Sequence, residues 1–354
     1  MKIIDNNSIK FELSDMAFVE KFGIKDAAQM VFDYKSVNET PFVFDCFQLS
    51  NLVGVDEIQM FHMIRNKERY YRKITLKKKN GGTRKITAPD FTMKCVQGCI
   101  LYRILNNIPV SKYATAYHKG ATLYDNAAPH TNKKYILKLD ITDFFGSITF
   151  SQVLSCVFNS GRYPKQIGYL LTELCTLNNV LPQGAPTSPT VSNIVMKSFD
   201  DYIGKWCEKN AIAYTRYCDD MTFSSDKPLY HVYKKAEKML NDMGFWLNES
   251  KTKFISASQR QTVTGLTVNE KVSVPREYKR ELRQQIHYLL KYDFDAESVC
   301  HAYDYGKSFL VRHYRECFCT VTGKVKYVLQ IEPDNAYFKN ALEELHRVSN
   351  RYLM

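Results

Sequence analysis

Apolar and polar residues alternate on both sides of a glycine-containing turn near residue 80, which is typical of a β-hairpin. Ile74 and Leu76 lie on one face before Asn80-Gly81-Gly82, and Ile86 resumes that face after it. Asn-Gly and Gly-Gly pairs favour tight turns between strands. The segment from Tyr70 to Pro89 is therefore predicted to form a hairpin.

Further along the chain, the apolar spacing switches between three to four residues, the period of a helix, and two residues, the period of a strand. The predicted helices span 94–105, 151–158, the residues after 189, about 229–243 and the residues after 275. The predicted strands are 136–139, 211–214, 221–223, 245–247 and 262–268. This order predicts an α+β fold in which helices cover one face of an antiparallel sheet.

The composition is that of an ordinary soluble globular protein, with 45% hydrophobic and 24% charged residues. A chain of 354 residues is long enough for two or three packed subdomains. No apolar run approaches the ~18–20 residues that span a bilayer, so we expect a cytoplasmic protein with no membrane partner. The ten cysteines include no Cys-x2-Cys pair, so the sequence predicts neither a disulfide framework nor a zinc site.

The charge is unevenly distributed and points to a polyanionic partner. The chain has 49 Lys and Arg against 37 Asp and Glu, a net charge of +12. Seven basic residues and no acid lie between Tyr70 and Lys85, and six basic residues lie between Lys271 and Lys291. Because neutralising phosphates releases counterions, such clusters favour nucleic acid binding.

Three carboxylates are the strongest candidates for chemistry. Asp219 and Asp220 are adjacent in a predicted turn between two strand-like runs, and Asp140 ends another such run 79 residues before Asp219. Adjacent like charges repel, so such a pair is tolerated where a divalent cation neutralises it. Carboxylates placed in this way can hold two Mg²⁺ ions about 3.5–4 Å apart for phosphoryl transfer. A solvated turn is the alternative for the adjacent pair taken alone.

Five segments together resemble motifs of reverse transcriptases, in order and spacing. Three of them are Leu139-Asp140-x4-Phe145, the loop Leu181–Pro189 and Tyr217-x-Asp219-Asp220. The other two, Asn126-Ala127-Ala128-Pro129-His130 and Val263-Thr264-Gly265, resemble the Asn-Ala-x-x-His and Val-Thr-Gly elements of retron enzymes. The resemblance covers about residues 70–310, and it is to the bacterial group that includes group II intron and retron enzymes.

The resemblance implies a right-hand polymerase architecture, with fingers, a palm built on an antiparallel sheet, and a helical thumb. The implied divisions are an N-terminal helical segment (1–69), fingers (70–135), a palm (136–268, with 181–200 contributing to fingers and palm) and a thumb with a C-terminal RNA-binding region (269–354). It also implies that Asp140, Asp219 and Asp220 are catalytic and, with the carbonyl of Ile141, hold two Mg²⁺ ions.

Two other acidic sites are expected to take no part in catalysis. Asp143 leaves its short strand in a different direction and is expected to be a cap or a surface residue. The Asp200-Asp201 pair matches no catalytic motif and is expected to be solvated. Cys218 departs from the alanine that retron enzymes usually have there, a small change that should preserve activity but adds a thiol sensitive to oxidation.

The resemblance also assigns residues to the incoming deoxynucleotide. They are Arg84, Lys79, Phe145, Gln183, Gly184 and Lys251. Arg84 is expected to clamp the triphosphate, Phe145 to exclude a ribose 2′-hydroxyl, and Lys251 to protonate pyrophosphate. Gly184 lacks a Cβ, so its loop can approach a nucleotide closely. The alternatives are core packing for Phe145, a solvated hairpin tip for Lys79 and a surface position for Lys251.

RNA contacts are expected from the two retron elements and from the predicted thumb helix. The residues are Asn126, His130, Val263, Thr264, Gly265, Arg280, Arg283 and His287. On the helix, the apolar spacing of Leu282 and Ile286 predicts the buried side, which leaves the basic residues on a polar side. For Asn126 and His130, the alternative is a structural turn.

The resemblance implies an RNA-directed DNA polymerase that copies its own structured non-coding RNA. It would prime from the 2′-hydroxyl of an internal guanosine and make a branched RNA–DNA hybrid, msDNA. The family is also associated with phage defence through a separate effector protein. The alternatives are a group II-intron-like or unclassified bacterial reverse transcriptase, and a catalytically silent RNA-binding scaffold of the same fold.

Overall fold

A computed structural model describes residues 43–77, 83–291 and 307–352 of the chain. Lys79 and most of the predicted N-terminal segment lie outside the described residues, and Arg84 is described only in its backbone. The chain divides into two compact units. The first contains the described residues up to 121, 137–223 and 229–253, and the second contains 122–136, 224–228 and the described residues from 254 onward.

The secondary structure is mixed α and β, as the sequence predicts. The helices are α1 (Cys46–Val53), α2 (Glu57–Arg65), α3 (Phe91–Arg103), α4 (Leu123–Ala127), α5 (Phe144–Ser147), α6 (Phe150–Cys156), α7 (Lys165–Cys175), α8 (Ser188–Val195), α9 (Lys197–Lys209), α10 (Tyr230–Asp242), α11 (Arg276–Lys291), α12 (Lys307–Ile331) and α13 (Ala336–Tyr352). The strands are β1 (Tyr71–Lys77), β2 (Thr83–Pro89), β3 (Tyr135–Asp140), β4 (Ala213–Tyr217), β5 (Asp220–Ser225), β6 (Lys253–Ser256), β7 (Thr262–Val263) and β8 (Leu266–Thr267).

The basic hairpin predicted near residue 80 is confirmed. β1 and β2 pair antiparallel over their whole length, with Tyr71 opposite Pro89 and Lys77 opposite Thr83. α3 follows directly and begins three residues before its predicted start. The side chain of Asp90 accepts the backbone N–H of Met93 at 2.9 Å, so Asp90 caps the first turn.

A four-stranded sheet, in the order β4-β5-β3-β6, positions the candidate carboxylates. β3 lies beside β5, so the strand that ends in Asp140 adjoins the hairpin that carries Asp219 and Asp220. The strand predicted at 245–247 is reduced to one isolated bridge between Ile141 and Leu247, and β6 takes the edge position instead. Apolar spacing alone does not distinguish these two short runs, because only pairing makes one of them a strand.

Each unit has its own hydrophobic core. In the first, Leu137, Leu139 and Phe223 of the sheet pack among the buried helix residues. In the second, Leu282 and Ile286 of α11 are buried with apolar residues of α12 and α13, which confirms the predicted buried side of that helix.

Two further predictions concern membranes and cysteines. Within the described ranges, no helix combines the length and apolar character needed to cross a membrane. The cysteines of those ranges are all free thiols.

Candidate active site

The end of β3 and the turn between β4 and β5 bring the three predicted carboxylates to one region of the first unit. The backbone N–H of Ile141 donates to the carbonyl of Asp219 at 3.2 Å, which joins the strand end to the turn. Asp140 is buried, and Asp219 is half-buried. Electrostatic repulsion by Asp219 and Asp140 acts on Asp220. The three carboxylates, which come from two motifs far apart in the sequence, are therefore neighbours.

Lys251 neutralises part of this negative charge. Its Nζ lies 2.9 Å from Oδ1 and 2.8 Å from Oδ2 of Asp140, and this hydrogen bonding raises the pKa of the lysine. The backbone supports the contact, because Asn248 N–H donates to the carbonyl of Asp140 at 2.8 Å. Lys251, predicted at the nucleotide, is thus placed among the carboxylates.

The donor chemistry fits a hard divalent cation, which takes carboxylate and carbonyl oxygens. The repulsion at Asp220 has the expected sign: desolvation and then the charge of Asp219 raise its pKa above the ordinary value. Across the described parts of the chain, however, no three His, Cys, Asp or Glu side chains are close enough together to hold an ion. The carboxylates are neighbours without forming a closed cage.

Lys138 is a further charged group that the sequence reasoning missed. Burial lowers its pKa, while the carboxylate of Asp220 acts in the opposite direction. It lies two residues before Asp140 on β3, and side chains two apart on a strand share a face. That period of two was the signal that could have identified it.

The turn between β4 and β5 has an unusual backbone. Cys218 has φ 60°, in the left-handed region that residues with a Cβ rarely adopt. Its side chain is buried, and burial followed by the charge of Asp219 raises the pKa of the thiol to about 12. A buried thiol with a raised pKa is inert, so the structure does not support the expected sensitivity to oxidation.

The prediction that Asp200 is solvated is wrong. Its side chain and that of Arg216 are fully buried and form an ion pair, with Nη2 of Arg216 2.6 Å from Oδ2 of Asp200. Burial disfavours the charge of Arg216, but the carboxylate of Asp200 outweighs it and raises the arginine pKa. Asp201 is partly exposed and pairs with Lys197. The sequence could not reveal this difference, because the partner of Asp200 comes from a strand 16 residues later.

The residues expected at the nucleotide lie in several elements of the first unit. Phe145 is half-buried, with its ring centroid 5.6 Å from that of Phe144, so both interpretations of Phe145 stay open. Gln183 donates from Nε2 to Oδ1 of Asp143 at 3.2 Å. Arg84 pairs through its backbone with Leu76 in the basic hairpin.

Gly184 is required by packing against the hairpin. It has φ 122°, and a Cβ at this position would lie 2.9 Å from Cγ2 of Ile86 and 3.2 Å from the carbonyl of Thr87. Its neighbour Gln183 accepts the backbone N–H of Thr87 at 3.0 Å. The glycine-containing loop is therefore fixed to β2, a reason for glycine that differs from close approach to a nucleotide.

In the second unit, the two retron elements meet. Nδ2 of Asn126 donates to Oγ1 of Thr264 at 3.2 Å, and Nδ1 of His130 lies 2.7 Å from Oγ of Ser224. Asn126 and His130 are 1% and 0% exposed, and burial, with the charge of Lys133, lowers the pKa of His130 to about 3. Buried side chains are poorly placed to contact RNA, so this geometry favours the structural alternative for both.

The Val-Thr-Gly triplet forms a tight hairpin between β7 and β8. Val263 pairs with Leu266, and both turn residues have positive φ, 44° for Thr264 and 85° for Gly265. Positive φ at both central residues is typical of a type I′ turn, where a β-branched residue is strained. The hydrogen bond from Asn126 holds Thr264 in this position.

The predicted polar side of α11 is exposed. Arg280, Arg283 and His287 are all accessible to solvent. The guanidinium of Arg283 lies 5.2 Å from the ring centroid of Tyr337 and 5.5 Å from that of Phe338. This stacking on α13 orients Arg283 and leaves a basic surface in the second unit.

Comparison with known proteins agrees with the motifs. The family described as reverse transcriptase (RNA-dependent DNA polymerase) matches residues 76–289. The chain is 34% identical to the retron Ec86 reverse transcriptase of Escherichia coli over 288 residues, which are 80% of this chain and 82% of that protein. It is 32% identical to the retron Mx65 reverse transcriptase of Myxococcus xanthus, over 66% of this chain and 60% of that protein.

Among solved structures, the telomerase of Candida albicans in complex with a fragment of telomeric RNA is similar at a TM-score of 0.41. The two chains are 9% identical, and the match covers 78% of this chain and 63% of the telomerase chain. At this level the likeness adds nothing to the assignment.

Proposed function

This chain belongs to the reverse transcriptases, and within them to the bacterial retron type, and on that premise we propose that it copies a structured non-coding RNA of its own. Synthesis starts at the 2′-hydroxyl of an internal guanosine and gives a branched RNA–DNA molecule, msDNA. The observation that supports a retron-specific role is the hydrogen bond between Asn126 and Thr264, because it joins the two retron elements in one unit.

The catalytic groups in this proposal are Asp140, Asp219 and Asp220. With the carbonyl of Ile141 they would hold two Mg²⁺ ions, which neutralise phosphate charge and acidify the attacking hydroxyl when bound. Asp219 and Asp140 repel the carboxylate of Asp220, and this repulsion supports a cation there, because a cation removes it. Lys251 contacts Asp140 and is proposed as the proton donor to the leaving pyrophosphate.

The basic hairpin and the loop Leu181–Pro189, which contacts it, are proposed to hold the deoxynucleotide. Arg84 and Lys79 would bind the triphosphate, and Gln183 and Gly184 would line the base and sugar. Phe145 is proposed as the wall that a ribose 2′-hydroxyl would strike. Support comes from the backbone contact between Gln183 and Thr87, which fixes the loop to the strand that carries Arg84.

RNA is proposed to bind the second unit through exposed residues. Arg280, Arg283 and His287 supply sequence-independent attraction to phosphates. Thr264 and Gly265 form a shaped hairpin tip, and Asn126 and His130 act by holding that region in shape. Val263 supports this hairpin through its buried side chain and does not itself contact RNA in this proposal.

Residence in the cytoplasm, restraint of a separate effector protein and a role in antiphage defence are further parts of the proposal. The cytoplasmic expectation comes from the apolar pattern of the sequence. The effector and the defence role rest on the family resemblance and not on a contact in the fold. The fingers, palm and thumb boundaries stay predictions on the same ground.

The catalytic assignment is tested by Asp219→Asn and Asp140→Asn in Mg²⁺-dependent primer extension on an RNA template. Loss of one carboxylate should reduce the rate by roughly 10³-fold, since metal ions supply several kcal/mol of charge stabilisation. Asp201→Asn removes the same charge from an ion pair on α9 and should extend primers normally. RNA binding by all three variants should match the wild type. Undiminished extension by either catalytic variant would refute the assignment.

The retron-specific part is tested by expressing the gene with its flanking genomic DNA and isolating the nucleic acid bound to the protein. We expect a DNA joined to RNA by a 2′–5′ bond, which changes mobility after treatment with a debranching enzyme. The Asp219→Asn variant should yield none. Recovery of unbranched DNA alone would favour the group II-intron-like or unclassified alternative.

A further inference from the structure

The turn between β4 and β5, which is the catalytic turn of the proposed site, contains a residue in an unfavourable backbone conformation. Cys218 has φ 60° and a Cβ, and a left-handed conformation is costly for such a residue. Asp219 follows it directly, so the backbone of Cys218 determines the direction in which the adjacent carboxylates leave the turn. Some contact must hold this backbone in place.

Arg216 provides that contact from within the same hairpin. Its Nη1 donates to the carbonyl of Cys218 at 2.9 Å. Two further donors bond Asp200: Nε lies 2.9 Å from Oδ1, and Nη2 lies 2.6 Å from Oδ2. Tyr214 donates its hydroxyl to the same carboxylate at 2.7 Å. Because Arg216 and Asp200 are fully buried, water does not compete for these bonds.

The backbone of Arg216 is fixed as well. Its N–H donates to the carbonyl of Tyr113 at 2.8 Å, and its carbonyl accepts the N–H of Thr115 at 2.8 Å. Asp200 belongs to α9, a helix of 13 residues in the first unit. A continuous set of short contacts therefore runs from α9 through the guanidinium to the carbonyl of the catalytic turn.

We infer that Arg216, oriented by Asp200, is a positioning residue that holds Cys218 in its left-handed conformation and thereby aims Asp219 and Asp220. The inference rests on the proposed catalytic role of those carboxylates. Arginine is required because its planar fork bonds two acceptors in different directions at once. A lysine would keep the charge opposite Asp200 but could not also reach the carbonyl with the same geometry.

The first test is Arg216→Lys, which keeps a cation beside Asp200 and removes the bond to Cys218. Misplacement of catalytic groups by about 1 Å can cost roughly 10²-fold in rate, so we expect kcat to fall by that order. KM for the template–primer should stay within about twofold, because the loss lies in the reacting geometry. Mn²⁺ binding to the protein without nucleic acid, followed by electron paramagnetic resonance, should weaken roughly tenfold, as it does when a residue supporting a metal ligand is lost.

A matched pair of backgrounds separates positioning from general stability. Cys218→Gly removes the cost of positive φ, whereas Cys218→Ala keeps the Cβ and the cost. If Arg216 acts by holding this conformation, Arg216→Lys should reduce kcat by a smaller factor in the glycine background than in the alanine background. The two factors should differ by at least about threefold. Equal losses in the two backgrounds, or a wild-type kcat for Arg216→Lys, would overturn the inference.

Folding is controlled by a second variant. If Arg216→Lys does not fold, the neutral pair Asp200→Asn/Arg216→Gln takes its place, because replacing both charges leaves neither one buried without a partner. It should show the same kcat loss and the same dependence on residue 218. If Asp219→Asn retains full activity, the proposed site fails. If Asp219→Asn is inactive and the Arg216 variants are fully active, the positioning role alone fails.

Discussion

Nζ of Lys251 lies within 2.9 Å of both carboxylate oxygens of Asp140, the last residue of β3. One ammonium group therefore bonds both oxygens of this candidate metal ligand. The lysine side chain is 59% exposed and the aspartate side chain 9% exposed. Lys251 can therefore turn toward solvent while Asp140 stays in place. A divalent cation that reaches Asp140 competes with this lysine.

Lys251→Ala should accordingly bind Mn²⁺ more tightly in the absence of nucleic acid. A partly exposed ion pair contributes about 1 kcal/mol or less, which limits the gain to about fivefold. If Lys251 also protonates pyrophosphate, kcat should fall in the same variant. Lys238→Ala removes an equal charge from an exposed position on α10 and should change neither quantity. Weaker Mn²⁺ binding by Lys251→Ala would contradict the competition.

His130 should make stability depend on pH. Burial lowers its pKa to about 3 in the folded protein, whereas an unfolded histidine titrates near about 6.5. Because the unfolded state binds the proton more readily, the contribution is complete above pH ~6.5 and declines as pH falls toward ~3. The free energy of unfolding should drop by about 1.4 kcal/mol between pH 7.5 and 5.5 from this residue alone.

Urea unfolding at these two pH values checks the histidine prediction. His130→Gln should remove this part of the pH dependence, and His118→Gln, at an exposed histidine, should retain it. An unchanged pH dependence in His130→Gln would show that the buried imidazole does not stay neutral.

Gly184→Ala should destabilise the first unit. The substitution forces a residue with a Cβ to adopt φ 122° and brings that Cβ to 2.9 Å from Ile86. Strain of this kind costs about 1–3 kcal/mol. Gly98→Ala is the matched control, because a Cβ there meets no atom within 4 Å and the residue lies inside α3. It should stabilise the protein by about 0.5–1 kcal/mol. Thermal unfolding of the two variants should therefore shift in opposite directions.

Phe145→Ala should admit ribonucleotides. Removing the half-buried ring would open space beside the sugar, so the preference for dNTP over rNTP in primer extension should fall by at least about tenfold, since excluded groups are discriminated by about 1–3 kcal/mol. Phe144→Leu, at the buried neighbour, should lower stability and leave the preference unchanged. An unchanged preference in Phe145→Ala, with a loss of stability of about 3–5 kcal/mol, would assign Phe145 to the core.

The sequence by itself determined the α+β class, most of the order of elements, the basic hairpin and three candidate carboxylates. These features are encoded by neighbouring residues: alternation before and after Asn80-Gly82 predicts a hairpin, and the adjacent carboxylates of Asp219 and Asp220 repel each other. The buried side of α11 was also readable, because Leu282 and Ile286 repeat at helical spacing. The family motifs then joined Asp140 to the distant pair.

Only the tertiary structure decided which polar groups are buried and what they contact. The sequence predicts that Asp200 is a surface acid, whereas the structure buries it in an ion pair with Arg216 of β4. It predicts that Asn126 contacts RNA, whereas the structure buries this side chain in a hydrogen bond to Thr264. Gly184 likewise owes its place to the backbone of β2. The physical reason is common to all three. Burial and pairing depend on groups that are distant in the chain, and local spacing does not specify which of them will meet.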